Sequence, residues 1–354
     1  MAENFVRIQA QPLRTFVFQL FSKAGMKPAD AEFQADALVQ MDLWGIPSQG
    51  VIRVPIYVKR IRSGAINPQP QIKTIRKAEG LEVIDGDNGS GFIVGRSAMG
   101  RAITIAESRN VAAVGATRSN HFGAAGLYAR MAAERGMIGI CTTNGVQNMV
   151  APGSAKPVVG DNPLAIAAPT FGDFPFVIDI STSAAAAGSL MAAADTKKKI
   201  PLDWATDREG CPTDDPEVAI AGGFLLPIAG YKGFGLALAL DILCGVMTGG
   251  AFLNEMRGMY NFPDKPSLTG HFMIALNPLS IMSRKEFKDR MTEFCRILKS
   301  TPMRDGQKEM LIPGELEYRT ALDREKSGIP LPASLYAELS GMGKREGVEV
   351  ELSM

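Results

Sequence analysis

The chain has 354 residues, 46% of them apolar, which at roughly 100 to 200 residues per domain suggests two or three domains with real cores and excludes a disordered protein. Thirty-eight Lys and Arg against thirty-seven Asp and Glu leave a formal charge of +1, so there is no bulk field to hold a nucleic-acid backbone or an anionic membrane. The two histidines and the four cysteines, Cys141, Cys211, Cys244 and Cys295, are too sparse for a close-spaced zinc or redox pair, and no metal is expected.

The start, MAENFVRIQAQPLR, lacks the basic and apolar regions of a signal peptide, so reduced thiols and a cytoplasmic location are expected. A helical period follows, with Leu13, Phe16, Val17, Leu20, Phe21 and Ala24 on one face and Gly25 at the C-cap. A second helix is predicted from Pro28 through Phe33, Ala37, Leu38 and Met41. The stretch WGIPSQGVIRVPIYVKRIRSG, broken by prolines and glycines, reads as a connection that exposes Ser48, Gln49 and Arg53.

Beyond it, LEVID reads as a strand, RSAMGRAITIAESRN as a helix and Ala112 to Thr117 as a strand. A turn with Ser119, Asn120 and His121 leads to a helical face of Ala124, Leu127, Tyr128 and Met131, ended by Gly136, and then to a strand over Met137 to Thr142. Leu164 to Ala168 and Phe176 to Ile180 continue the sheet before an alanine-rich helix from Ala184. The apolar run Phe234 to Leu253 is long enough to cross a bilayer, yet Asp241 at its middle and Gly245, Gly249 and Gly250 favour a buried helix. The last helix read from the pattern, Ser283 to Ser300, opens on a capping box and carries Phe287, Met291, Phe294 and Leu298 on one side.

No G-x-G-x-x-G fingerprint occurs, since Gly89-Ser-Gly91 is followed by Gly95 one position late, and P-loop, G-x-S-x-G and H-E-x-x-H patterns are also missing. His121 is the sharpest candidate, an imidazole in a strand-to-helix turn, and equally a helix-start histidine that bonds a backbone group. His271, opening an apolar strand, reads as structural. Asp179, with Ile180 and Ser181 after it, emerges where a sheet usually meets ligands, although a hydroxyl there also serves as a helix cap. Lys232 in GYKGFG stands where a cation meets a phosphate or carboxylate, or else in a wet loop, as Lys197, Lys198 and Lys199 do.

SQGVIRVPIY, SNHFG, GDNPLAIAAP, IDISTS and GYKGFGLAL, in that order between Asp42 and Pro330, resemble the malate/L-lactate dehydrogenase family that lacks the usual Rossmann fold. The resemblance implies a mixed α/β chain: a helical part at 1–57 and 331–354, a small mixed domain at 58–117 and 291–330, and a cofactor domain with its own sheet at 118–290. It implies NAD or NADP as cofactor, a small 2-oxo or 2-hydroxy acid or a cyclic ketimine carboxylate as substrate, and a homodimer. His121 matches the family's acid/base histidine, Arg53 an arginine near the substrate carboxylate, and Asn120 is expected beside the substrate. Asp179, Ile180, Ser181, Lys232 and the turn Pro313, Gly314 and Glu315 are the implied dinucleotide contacts.

The chain departs from the pattern where members commonly carry Ser-His-Gly. Here Ser48-Gln49-Gly50 stands, with Ser189 where some members have a supporting aspartate, and a glutamine cannot exchange a proton at neutral pH. Ser48 and Gln49 remain catalytic-site candidates, with the proton transfer expected from His121. The other reading is a weakly active or inactive relative that keeps the cofactor fold as a binding or assembly module.

Overall fold

A computed structural model describes residues 5–348. The chain runs β1 (Phe5–Ile8), α1 (Ala10–Lys23), α2 (Pro28–Leu43), α3 (Val54–Arg62), β2 (Lys73–Ala78), β3 (Leu81–Asp85), α4 (Gly91–Arg109), β4 (Val111–Ser119), α5 (Gly126–Glu134) and β5 (Ile138–Thr143). It continues with β6 (Met149–Val150), β7 (Pro157–Val159), β8 (Leu164–Ala168), β9 (Phe176–Ile180), α6 (Ala187–Asp195), α7 (Pro216–Ile220) and α8 (Tyr231–Asp241). The last elements are β10 (Thr269–Leu276), α9 (Arg284–Lys299), α10 (Glu315–Ser327), β11 (Ile329–Pro332) and α11 (Ala333–Glu346).

The mixed α/β class expected from the sequence is what forms. Seven strands make one sheet in the order β2-β3-β4-β10-β5-β8-β9. Only β3 and β4 pair in parallel, joined by α4 as crossover; the other pairs are antiparallel. This is not a parallel Rossmann sheet, in keeping with the missing fingerprint. Both faces of β4 are covered. Val114 and Ala116 enter a core with α4 and α5, while Gly115 on the other side meets Thr248.

A second core joins α1 and α2 to α3, β11 and α11, with β1 and β11 pairing the two ends of the described chain. The expected boundaries at 117/118 and 290/291 fall inside β4 and α9, so neither coincides with a break between elements. The stretch after Trp44 departs from the reading as a mere connection: after two short helical turns it forms α3, with Val54, Tyr57, Val58 and Ile61 buried. Pro55 starts that helix instead of breaking it, because a proline in the first turn removes no helical hydrogen bond.

The long apolar run becomes α8 and one π turn, Ile242–Val246, and no described helix is long and apolar enough to cross a membrane. Asp241 within it is buried, accepting from Asn144 Nδ2 at 2.9 Å and from Leu253 N at 3.1 Å. In α9 the Ser283 hydroxyl caps Glu286 N as expected, but of the predicted apolar face only Phe287 is buried, while Phe294 is exposed.

Candidate active site

One cavity of about 590 Å³ collects residues from the whole length of the chain. Its walls include Ser48 and Gln49 from the loop before α3, His121 from the turn after β4, Asn144 after β5, Asp179 and Ser181 at the end of β9, and Tyr260 from the connection into β10. Strand ends therefore converge here, because a sheet leaves its irregular backbone at its edges and ends, where polar groups reach a ligand.

His121 is held by close approach of backbone. Gly91, the first residue of α4, packs on the carbonyls of Asn120 and His121: a Cβ there would lie 2.1 Å from Asn120 O and 2.4 Å from His121 O. The glycine of the failed fingerprint thus serves the histidine turn. His121 Nδ1 lies 2.6 Å from Tyr57 Oη and 3.4 Å from Gly123 N, leaving Nε2 without a protein partner among the described residues. The ring lines the cavity but is enclosed by protein. Burial, with the charges of Arg53, His271 and Arg60, holds its pKa down at about 3, not in the ordinary imidazole range expected from the sequence.

Arg60 supplies part of that field from inside the protein. It is 1% exposed, and its guanidinium bonds Asn120 Oδ1 at 2.9 Å, Ser267 Oγ at 3.1 Å, and the carbonyls of Phe262 and Lys265 at 3.0 Å each. No carboxylate pairs with it among the described residues. A buried cation satisfied only by neutral dipoles leaves its charge to act on its surroundings. Arg53 adds a second cation, its Nε donating to Ser48 O at 2.7 Å and its Nη1 to Tyr260 Oη.

Farther along the cavity the sign reverses. Asp179 accepts from Gly126 N at 2.7 Å, and Glu317 lines the same region. Although Asp179 faces the cavity, surrounding protein raises its pKa to about 6 through desolvation, partly opposed by the Gly126 amide and Arg130. Arg130 is turned onto the Trp44 ring, 4.5 Å from its centroid.

The loop bearing Ser48 and Gln49 is anchored beneath. Asp42 accepts from Val51 N at 2.7 Å, and Gly50 lies so close that a Cβ would sit 2.3 Å from the Asp42 carboxyl. Burial raises Asp42 to about 7.

The sequence candidates therefore separate. His121, Ser48, Gln49, Asp179 and Ser181 share the cavity, and Arg53 borders it through Tyr260. Asn120 stands behind the wall, engaged with Arg60, Ser267 N, Asn88 and Gly89 O. Ile180 is exposed and outside the lining. Lys232 is on the exposed first turn of α8, also outside it. The turn Pro313–Gly314 packs on the start of β9, where Val177 N donates to Pro313 O at 3.0 Å, and Glu315 is taken up by Lys299, Arg319 and Ile312 N. Among the described residues no group of three His, Cys, Asp or Glu could hold a metal.

Tyr57, Arg60, Asp42 and Tyr260 were not singled out from the sequence. Tyr57 carried one signal, its position four residues after Arg53, which is one helical turn.

The sequence profile described as malate/L-lactate dehydrogenase matches residues 8–340. The chain is 39% identical to a malate dehydrogenase of Pyrococcus abyssi, over 98% of this chain and 97% of that one. Its fold superposes on the sulfolactate dehydrogenase of Methanocaldococcus jannaschii with a TM-score of 0.92 and 35% identity, covering 98% of both chains. It also matches a delta1-piperideine-2-carboxylate reductase of Pseudomonas syringae with a TM-score of 0.85 and 26% identity, over 95% of this chain and 99% of that one. With its strand-end cavity, its histidine turn and these likenesses, the chain belongs to the malate/L-lactate dehydrogenase family.

Proposed function

We propose that this chain is an NAD(P)-dependent oxidoreductase that moves a hydride between a nicotinamide and the α carbon of a small 2-oxo or 2-hydroxy acid, or of a cyclic ketimine carboxylate. The observation that carries the reading is His121, whose Nε2 is unpartnered in a cavity that has Arg53 and Arg60 behind its wall near the histidine and Asp179 and Glu317 in its lining farther along. A substrate carboxylate suits the first region. Ribose hydroxyls suit the second, since ionised carboxylates accept hydrogen bonds.

The donor set fits a nicotinamide nucleotide. Asp179 and Ser181 line the cavity, and the run Gly123 to Gly126 forms a wall of small residues against which a flat ring can lie. Ile228 N donates to Thr182 O at 2.9 Å, which brings the chain leading to Lys232 beside the strand-end loop and supports Lys232 as a phosphate contact. The bound nicotinamide supplies or receives the hydride.

In the tautomer whose Nδ1–H donates to Tyr57 Oη, His121 Nε2 takes the hydroxyl proton when a hydroxy acid is oxidised and, as imidazolium, returns it in reduction, with Tyr57 fixing the ring. Burial, with the field of Arg53 and Arg60 added to it, keeps the imidazole neutral; a substrate carboxylate opposes that field and raises its basicity. Gln49 orients the substrate oxygen, and Arg53 takes the carboxylate.

A homodimer belongs to the same reading, supported by Tyr231, Ile242 and Val246, which leave apolar surface exposed along α8 and the π turn. So does a cytoplasmic setting, supported by the free thiols of Cys141 and Cys244 in the core.

The test is NADH and NADPH oxidation with a panel of 2-oxo acids and cyclic ketimines. Turnover of at least one is expected. Dinucleotide binding without turnover of any of them would favour the binding or assembly module.

A further inference from the structure

The arrangement around Arg53 is unequal in a useful way. Its Nε is spent on Ser48 O and its Nη1 on Tyr260 Oη, while Nη2 has no bond among the described residues. The guanidinium carbon also sits 5.5 Å from the Tyr260 ring centroid, so phenol and guanidinium are packed as one unit. Tyr260 is 58% exposed, which makes it dispensable to the core, yet it lines the same cavity as His121 and Gln49. Because its oxygen accepts from Arg53, its own proton is left to donate elsewhere.

We propose that Tyr260 is a specificity-determining substrate contact: its hydroxyl and Arg53 Nη2 together bind the two oxygens of the substrate carboxylate. This rests on the small-acid reading above and adds to it the residue that separates an acid from its neutral derivatives. A carboxylate accepts from both donors. A methyl ester has lost the charge, and a primary amide turns a donor toward one of them, so neither completes the clamp. Arg53 stays anchored by Ser48, so the tyrosine and not the arginine is the adjustable half.

The experiment compares wild type with Tyr260→Phe, using a 2-oxo acid and its methyl ester as substrates and oxamate as a binding probe in calorimetry. A hydrogen bond to a charged group is worth about ten-fold or more in affinity, so KM for the acid and Kd for oxamate should rise by that factor. The turnover number should change by no more than about two-fold, as for a contact made equally in ground and transition states, and KM for the ester should not move. The unfolding midpoint serves as the folding control and should be unchanged. Unaltered oxamate affinity would overturn the clamp, as would equal weakening of acid and ester, which would mark simple packing, or failure of the wild type to bind oxamate. Since oxamate binding needs no turnover, failure of the proposed reaction and failure of the clamp are read separately.

Discussion

The regions around the two histidines differ in a way their acidities do not reveal. His121 and His271 are both enclosed, and burial lowers both to about 3. His271 lies on β10 with both nitrogens spent: Thr143 Oγ1 at 2.8 Å from Nδ1 and Ser119 Oγ at 2.7 Å from Nε2. Thr143 gives its own proton to Gly270 O, so Nδ1 donates to the threonine and Nε2 accepts from the serine. The ring also stacks on Phe122 with centroids 4.5 Å apart. His121 has the same ring, with the charges of Arg53 and Arg60 added to burial, but keeps one nitrogen for the cavity. Partner accounting, not a depressed pKa, separates the histidine proposed as the acid/base from the one with both nitrogens bonded.

The largest effect expected from this contrast is on turnover. His121→Ala should lose on the order of 10² to 10⁴ in kcat, the usual worth of general acid–base catalysis. His271→Gln, checked in the same assay, should stay far closer to wild type. Gly91→Ala probes the same turn indirectly, since its Cβ would displace the Asn120 and His121 carbonyls. A shift of that kind should lower turnover by about 10²-fold while leaving both histidines in place.

Stability sharpens the other side. The folded-state pKa of His271 is below its unfolded value, so its contribution is whole above about pH 6.5 and is lost as pH falls toward 3. Denaturant titrations of His271→Gln should show overall destabilisation of about 2 kcal/mol from the lost bonds. Its acid limb should be shallower by up to about 1.4 kcal/mol per pH unit. An unchanged limb would mean that His271 titrates normally. Asp42 has the opposite sign: its raised value gives stability that is present at low pH and lost as pH rises through about 7. Asp42→Asn keeps an acceptor for Val51 N, so its unfolding free energy should match wild type near pH 3 and exceed it at pH 9, by on the order of a few kcal/mol.

Much of the sheet and the strand-end candidates were legible locally. Periodicity marks β8 and β9, and places Asp179 at a strand end, because alternation and turn residues are properties of neighbouring positions. His121 was visible as one of two histidines in a strand-to-helix turn. What surrounds it was not. Arg60 reaches Phe262, 202 positions away, and Tyr260 reaches Arg53 across 207, so neither leaves a local pattern. The prolines that made the stretch around Tyr57 read as a connection conceal a helix, since Pro47 starts a separate short turn and Pro55 sits in the helix's tolerant first turn. Gly91 likewise reads as part of a broken motif until its contact with the Asn120 carbonyl gives the reason for it.

The central claim is that only the histidine with an open nitrogen is coupled to what the cavity holds. Nitrogen-detected NMR of imidazole-labelled protein, titrated with and without saturating oxamate, tests it most directly. In the free protein both rings should stay neutral between about pH 5 and 8. Oxamate should shift the His121 Nε2 resonance and raise its pKa, leaving both His271 nitrogens unmoved. A free His121 that titrates near the ordinary imidazole value, or a His271 ring that answers oxamate as strongly, would contradict the account.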